Sequence, residues 1–329
     1  MNGILSSFCL AVSAVLVTVP VVATAQGAAD DYPNKAVMLV NPLAGGGSSE
    51  IDFRRYIQSI QKHAGKQFVI DNKGGAGTTI GTTHVAKATP DGYTLLIASS
   101  PLTITPSVYP DLPYKVADLV PAILLTKRAL MLVVQASAPY KTAQEYVAFT
   151  RANPGKLNFG TGGLGASTHL PGELLHYLTR TKVTFIHYKS PPQRVVDLLA
   201  GRVDAAVVSF ALANPHLRSG KLRSLGVTGG SRELKLPEMP TVAEQGVPGY
   251  EFTNWFSVVA PPKTPPAIVN RIHALFAAAL KDPEVSKPLL DDNTHIIGGS
   301  PAQARAHILA EVETWHKLIK ETGMKVDEE

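Results

Sequence analysis

A glycine-rich turn joins a short apolar run to an amphipathic helix near the start of the chain, at Gly45-Gly46-Gly47-Ser48-Ser49. Backbone N–H groups and the positive dipole end at the start of a helix bind anions without a charged side chain. The turn contains no Lys or Arg, and Glu50 stands where a G-x-G-x-x-G fingerprint needs its last glycine. The pattern therefore argues against the common nucleotide loops and favours a carboxylate, although the glycines could equally do no more than permit a tight turn.

A second turn of the same kind lies at residues 158–173, NFGTGGLGASTHLPGE, again between a predicted strand and the start of a helix. A third predicted strand ends in the hydroxyls of Ser99 and Ser100. Ligands of open α/β sheets bind beyond the carboxyl ends of the strands. If the two turns belong to different lobes, they face one cleft from opposite walls.

Residues for catalysis or metal binding do not form a known motif. There is no G-x-S-x-G elbow and no H-E-x-x-H spacing, and Ser167 lies too close to His169 for a nucleophile and its base. His169 fits a buried structural role as well as ligand contact, and Lys189 could attract an anion or simply be solvated. We predict that the protein is not an enzyme and uses no cofactor or metal. A hydrolase or transferase on a similar two-lobed fold is the alternative, which turnover of an ester or amide would reveal.

Composition and the first residues restrict the class of protein further. The 31 basic and 26 acidic residues give a net charge of +5, and the basic residues form no tract, which argues against nucleic-acid binding. Met1–Ala25 is uncharged and apolar and reads as a signal peptide cleaved after Ala25. An uncleaved membrane anchor is the alternative, because the segment lacks a basic start. The only cysteine, Cys9, lies within it, so we expect an exported, periplasmic product without thiols.

Apolar runs rich in β-branched residues alternate with helical patterns along the rest of the chain, which predicts an α/β fold with mainly parallel sheets. Proline-rich stretches at 111–114, 138–139, 248–250 and 261–266 mark two crossings between lobes. We therefore predict a first lobe formed by residues 26–132 and 253–329, and a second lobe, 133–252, inserted into it.

Seven short motifs occur in a specific order along the mature chain. They are Tyr32-Pro33-Asn34-Lys35, Pro42–Glu50, Asp71–Gly77 with Ile80-Gly81, Pro90–Leu96, Gly201–Asp204, Ser219–Arg223 and Pro240–Glu244. With these motifs the chain resembles the solute receptors of tripartite tricarboxylate transporters, also called Bug-type periplasmic binding proteins.

The resemblance implies a two-lobed type II periplasmic binding protein fold that closes on its ligand like a hinged clamp. It also implies a small organic carboxylate held by backbone N–H groups of the first turn, with the loop Thr161–His169 opposite. The partners would be integral membrane subunits of a transporter or, alternatively, a membrane signalling protein, and we expect a monomer. The candidate ligand-binding residues are Leu43, Ala44, Gly45, Gly46, Ser48, Ser99, Ser100, Thr161, Gly162, Ser167, His169 and Ser209.

The chain departs from the family pattern at several of these places. Glu50 replaces a usual Asp, and Asn41 stands where an apolar residue is common. Val208-Ser209 replaces an Asp-Asn pair that often faces the ligand in the family, and whose Asp can meet the ligand amine in amino-acid binders. Ser190-Pro191-Pro192 replaces a glycine-containing loop. These changes argue against an amino-acid ligand and favour an acid with a neutral or aromatic tail.

Overall fold

The structure, a computed structural model, describes residues 31–43, 48–109, 111–163 and 166–322. These residues form two β-sheets, of six and five strands, with ten α-helices around them. Two apolar clusters cover the two faces of the first sheet, and two others cover the faces of the second. The described part of the chain is therefore an α/β protein with two separate sheets.

The first sheet contains strands from both ends of the chain. Its strands are β1 (Val37–Asn41), β2 (Phe68–Asn72), β3 (Thr94–Ser99), β4 (Val120–Ala129), β10 (Thr253–Ala260) and β11 (His295–Gly299), in the order β11-β4-β10-β3-β1-β2. The pairs β1–β2 and β1–β3 are parallel, and the pairs that involve β4 or β10 are antiparallel.

The second sheet is built from one continuous stretch of the sequence. Its strands are β5 (Met131–Gln135), β6 (Asn158–Thr161), β7 (Thr184–His187), β8 (Ala205–Val208) and β9 (Leu222–Val227), in the order β7-β6-β8-β5-β9. Strand β6 is parallel to both its neighbours, whereas β5 is antiparallel to β8 and β9. The prediction of mainly parallel sheets is therefore wrong, since both sheets are mixed.

The helices cover the faces of these sheets. They are α1 (Ser48–Ala64), α2 (Thr79–Ala86), α3 (Pro101–Val108), α4 (Ala143–Ala152), α5 (Leu170–Thr179), α6 (Pro191–Leu199), α7 (Phe210–Arg218), α8 (Pro266–Lys281), α9 (Pro283–Asp291) and α10 (Pro301–Thr322). In α1 the residues Phe53, Ile57 and Ile60 recur at helical spacing and are buried in the core of the first sheet.

Two segments cross between the sheets and are hydrogen-bonded to each other. Leu130 alone separates β4 from β5, and residues 228–252 connect β9 to β10. The backbone N–H groups of Leu130 and Phe252 both bond to Thr228, at 2.8 and 2.7 Å. Helix α10 begins against the first sheet, and its Trp315 packs in the core of the second. The crossings are thus a compact, internally bonded unit.

Candidate functional site

A cavity of about 110 Å³ lies between the two sheets, at the carboxyl ends of β1, β6, β7 and β8. The wall on the side of the first sheet consists of Leu43, Ser49, Asn254 and Phe256. The wall on the side of the second consists of Gly162, Ala166, Ser167, Thr168, Tyr188, Lys189, Pro191, Arg194, Ser209 and Leu212. Leu130, in the crossing, lines it as well. Ligands of open α/β sheets bind beyond the carboxyl ends of the strands, which is where this cavity lies.

A chain of polar side chains supports the first wall where β1 leads into α1. The buried Asn41 donates from Nδ2 to Asn72 Oδ1 at 2.8 Å and accepts from the Leu43 N–H at 3.4 Å. Asn72 in turn donates to Glu50 Oε2 at 3.4 Å, and Arg54 Nε donates to Glu50 Oε1 at 3.1 Å. Glu50 therefore connects Asn72 to Arg54. Asn41, which stands where the family pattern has an apolar residue, connects Leu43 to the ends of β1 and β2.

The second wall is organised around the hydroxyl of Thr168. It accepts hydrogen bonds from the Gly162 N–H and from Arg194 Nη1, both at 2.9 Å. A Cβ at Gly160, on β6, would meet the Arg194 stem at 3.0 Å, and one at Gly162 would meet Thr168 Oγ1 at 2.7 Å. The glycines after Phe159 thus let a long cationic side chain cross the end of β6 and reach the cavity.

The cavity carries positive charge. Arg194 is 2% exposed, and burial lowers the pKa of its guanidinium to about 10, which still leaves it charged at neutral pH. Lys189 adds a second, exposed cation at the rim. No Asp or Glu belongs to the lining among the residues that the structure describes. A cavity that is lined by basic side chains and by no described acidic side chain attracts anions, so it is suited to an acidic ligand.

Four of the sequence-predicted residues line this cavity, namely Leu43, Gly162, Ser167 and Ser209. The Oγ of Ser209 is buried and has no hydrogen-bond partner among the described groups. Ala44, Gly45 and Gly46 lie outside the described residues, as does the side chain of Ser48, which begins α1. Their role in holding a carboxylate stays a prediction.

Four others do not line the cavity in this structure, because their side chains are buried elsewhere. Ser99 is buried at the end of β3, and Ser100 donates to Asn254 Oδ1 at 3.1 Å, which positions that cavity residue. Thr161 Oγ1 lies 2.7 Å from His187 Nδ1. His169 is 1% exposed and packs between Phe185, His187 and Glu173.

The candidate list omitted several lining residues, of which Arg194 carries the most chemistry. On α6 it stands four residues before Leu198, which is buried, and next to the buried Val195. An Arg on the apolar face of an amphipathic helix was a signal in the sequence. Asn254 and Phe256 lie on β10, where nothing in the local sequence marks the one face that meets the cavity.

Within the described ranges, no group of three or more His, Cys, Asp or Glu side chains is arranged to hold a metal ion. Within the same ranges, none of the helices has the length and apolar character needed to cross a bilayer.

Comparison with known proteins places the chain in a family. The model of the tripartite tricarboxylate transporter family receptor, TctC, matches residues 53–324. The chain belongs to this family. The match confirms the resemblance drawn from the motifs.

Three solved structures share the fold over nearly the whole chain. The periplasmic binding protein BugD is 29% identical, with a TM-score of 0.83 over 89% of this chain and 99% of its own. A protein of R. palustris solved with adipate is 33% identical, with a TM-score of 0.83 over 90% and 99%. MatC from Rhodopseudomonas palustris, solved with malate, is 27% identical, with a TM-score of 0.82 over 88% and 100%. The predicted two-lobed type II periplasmic binding protein fold is confirmed.

Proposed function

We propose that this TctC-family protein is an extracytoplasmic receptor that captures a small organic carboxylate and delivers it to the membrane subunits of a tripartite tricarboxylate-type transporter. The observation that carries the proposal is the cavity between the two sheets, which Arg194 and Lys189 line without any described acid. The relatives solved with adipate and with malate hold carboxylates, which supports the same ligand class.

We further propose that ligand capture closes two lobes, formed by residues 26–132 with 253–329 and by residues 133–252. Support comes from Leu130, the single residue between β4 and β5, and from its hydrogen bonds to Thr228, because a short bonded segment allows two rigid bodies to rotate about it. Closure removes water from the cavity, and a lower local dielectric strengthens the hydrogen bonds to the ligand.

Family membership implies export, since relatives such as BugD are periplasmic. Cleavage after Ala25 is part of the proposal. Intact-mass analysis of the exported protein tests it, with Gln26 as the expected first residue. A product that begins at Met1 would contradict cleavage.

A ligand screen tests the receptor function. A ligand that binds only the folded state raises the melting temperature by mass action. We expect a shift with one or more members of a panel of mono-, di- and aromatic carboxylates, and calorimetry should then give one site per chain with no chemical change of the acid. A shift with amines or sugars but with no acid would overturn the proposal.

The Gly46→Asp variant tests the first turn separately. The added carboxylate would repel an anion held by the backbone N–H groups of the turn, so binding should be lost. Gly155→Asp is the control, because Gly155 has open space around it and Asp is among the residues that best accept its positive φ of 73°. The melting temperature of this control measures the remaining backbone strain. Unchanged affinity in a folded Gly46→Asp protein would exclude the turn from the site.

A further inference from the structure

The arm, residues 231–239 of the second crossing, reaches from the second sheet to the side of the first and is not part of the cavity lining. Its base belongs to the second sheet, because Leu236 and Met239 pack against the core of that sheet. Arg232 also donates to Glu244 Oε2 at 2.8 Å, within the same crossing. The arm therefore moves with the second sheet.

The tip of the arm makes two contacts between ionisable side chains on the side of the first sheet. Glu233 Oε2 lies 2.6 Å from Nε2 of His295, which begins β11. Lys235 Nζ lies 3.1 Å from Oδ1 of Asp291, which ends α9. Strand β11 belongs to the first sheet, and α9 packs in its core, so each contact joins the two lobes.

These contacts are polar and lie between open grooves. Grooves of about 400 and 310 Å³ flank them, and both are lined by Glu233 of the arm and by His295. Leu234, between the two contact residues, is 88% exposed, so its apolar surface is hardly buried there. Lasting contacts between domains are large and hydrophobic, whereas a small polar contact allows relative motion. The arm is therefore suited to touch the first lobe and to release it.

The arm starts close to the place where the two crossings are bonded to each other. Thr228, just before the arm, exchanges hydrogen bonds with Leu130, the single residue between β4 and β5. A rotation of one sheet against the other about these crossings would change the distance from the tip of the arm to α9 and β11. The two contacts are thus sensitive to the arrangement of the lobes.

We propose that the Glu233–His295 and Lys235–Asp291 pairs form a clasp that is made when the lobes close and broken when they open. This inference rests on the proposed receptor function and its lobe closure, and it adds four positioning residues that lie outside the cavity lining.

A clasp outside the cavity changes affinity without changing selectivity. The observed affinity of a clamp is its intrinsic affinity reduced by the fraction of molecules in the closed, binding-competent arrangement. Loss of the clasp lowers that fraction and leaves the cavity itself unchanged. Every ligand should therefore lose affinity by the same factor.

X-ray scattering from the ligand-free protein tests the clasp directly. The locked form carries Lys235→Cys and Asp291→Cys joined by a short bifunctional maleimide, in a Cys9→Ser background, because Cys9 is the only cysteine of the chain. The broken form carries Glu233→Ala and Lys235→Ala, which remove both pairs and keep the net charge. Small-angle scattering should give a smaller radius of gyration for the locked form than for the broken form.

A second cross-link controls for the chemistry. Lys62 and Glu284 also form an exposed ion pair, but they lie on α1 and α9, which both pack in the core of the first sheet. Joining Lys62→Cys to Glu284→Cys should leave the radius of gyration unchanged, since this cross-link stays within one lobe.

Affinity provides the second measurement. Succinate, malate, adipate and benzoate are titrated by calorimetry into the wild type and the broken form. We expect each acid that binds to lose about three- to tenfold, as for two weak ion pairs, and by the same factor. Lys235→Asp alone should lose affinity, and adding Asp291→Lys should restore it, because the reversed pair attracts again. Leu234→Ala, an exposed position on the same arm, should keep the wild-type affinity.

The outcomes separate the clasp from the receptor function. Equal radii for the locked and broken forms, or unchanged affinity in the broken form, would overturn the clasp and leave the receptor function standing. A loss that differs from acid to acid would also overturn it, because these residues would then act on the ligand. If no acid binds the wild-type protein, the receptor function fails, and the scattering comparison still decides the clasp. Lys235→Ala alone serves as the broken form if the double variant does not fold.

Discussion

Leu130 and Thr228 exchange two hydrogen bonds where the chain crosses between the sheets. The Leu130 N–H donates to Thr228 Oγ1 and the Thr228 N–H donates to the Leu130 carbonyl, each at 2.8 Å. The same hydroxyl donates to the Phe252 carbonyl at 2.8 Å. One threonine side chain therefore satisfies buried backbone groups of both crossings, so it fixes their spacing without a covalent link.

Thr228→Val should destabilise the protein by about 2–4 kcal/mol. Valine has nearly the same shape but leaves the Leu130 N–H and the Phe252 carbonyl without partners, and each buried unsatisfied group costs about 1–3 kcal/mol. Urea unfolding gives the difference. Thr314→Val, on the exposed face of α10, should cost less than about 0.5 kcal/mol. Equal losses in the two variants would show that the crossing bonds contribute no special stability.

Ser209→Ala should weaken ligand binding without destabilising the protein. Ser209 lines the cavity, and its Oγ is buried with no described partner, so the variant deletes an unpaired polar group from the ligand-free state. With ligand present the hydroxyl is available to donate to a carboxylate, a bond to a charged group worth about 1.5–3 kcal/mol. We expect an unchanged or higher melting temperature and an affinity about tenfold or more lower.

Ser99→Ala provides the contrasting case for that prediction. The Oγ of Ser99 is also buried without a described partner, but this side chain does not line the cavity. The melting temperature should respond as in Ser209→Ala, whereas the affinity should stay within about threefold, since only an atom that meets the ligand contributes to binding. Loss of affinity in Ser99→Ala, with none in Ser209→Ala, would reverse the assignment of the two serines.

The sequence predicted the α/β class, and the motifs predicted the two-lobed fold, but several elements were missed for identifiable reasons. The unpredicted helices α3, α7 and α9 contain Pro106, Pro215 and Pro288 inside them. Local rules treat such a proline as a helix breaker, whereas packing of buried residues such as Leu289 offsets the single backbone bond that is lost. Whether a strand is parallel or antiparallel depends on which strands become its neighbours in the sheet. Segments distant in the sequence determine that pairing.

A proline also explains why the sequence did not predict the long central strand β4. Pro121 lacks an N–H and argues against a central strand. Strand β11, however, pairs with β4 only from Leu124 to Lys127, so Pro121 lies beyond the region that has partners on both sides.

The sequence predicted which loops form the site but not every side chain in it, because strand–turn–helix patterns mark only the carboxyl ends of strands. Arg194 was missed because the side of a helix that faces a cavity depends on the lobe opposite.

Asn41→Leu should lower both stability and ligand affinity. The variant removes the 2.8 Å bond to the exposed Asn72 and the contact with the Leu43 N–H, so the start of the first turn loses an anchor. The expected cost is about 0.5–1.5 kcal/mol by urea unfolding, the net worth of an ordinary hydrogen bond. A double-mutant cycle with Asn72→Leu should show coupling of about 0.5 kcal/mol or more. Additive losses would mean that the two amides act independently.

Asp292→Asn should change the pH dependence of stability. Asp292 accepts a hydrogen bond from Arg128 Nη1 at 2.9 Å. Burial raises the pKa of its carboxyl to about 6 from the ordinary 3.8; Arg128 and the Ala211 N–H oppose the rise, whereas the Asp52 carboxylate adds to it. Above about pH 4 the unfolded chain has released this proton while the folded protein still holds it. The group therefore stabilises the fold most at low pH, and that contribution is lost as the pH rises through 6.

The measurement is the difference in unfolding free energy between Asp292→Asn and the wild type, taken by urea unfolding at pH 4 and at pH 7. The variant has no carboxyl at position 292 to titrate. Its unfolding free energy relative to the wild type should therefore rise by about 2–3 kcal/mol from pH 4 to pH 7. Contributions from carboxylates that do not interact with Asp292 cancel in the comparison. Asp291→Asn is the neighbouring control, since the Asp291 side chain is 63% exposed and its ion pair with Lys235 is screened by solvent. A difference for Asp292→Asn that does not change with pH would exclude a raised pKa at this carboxyl.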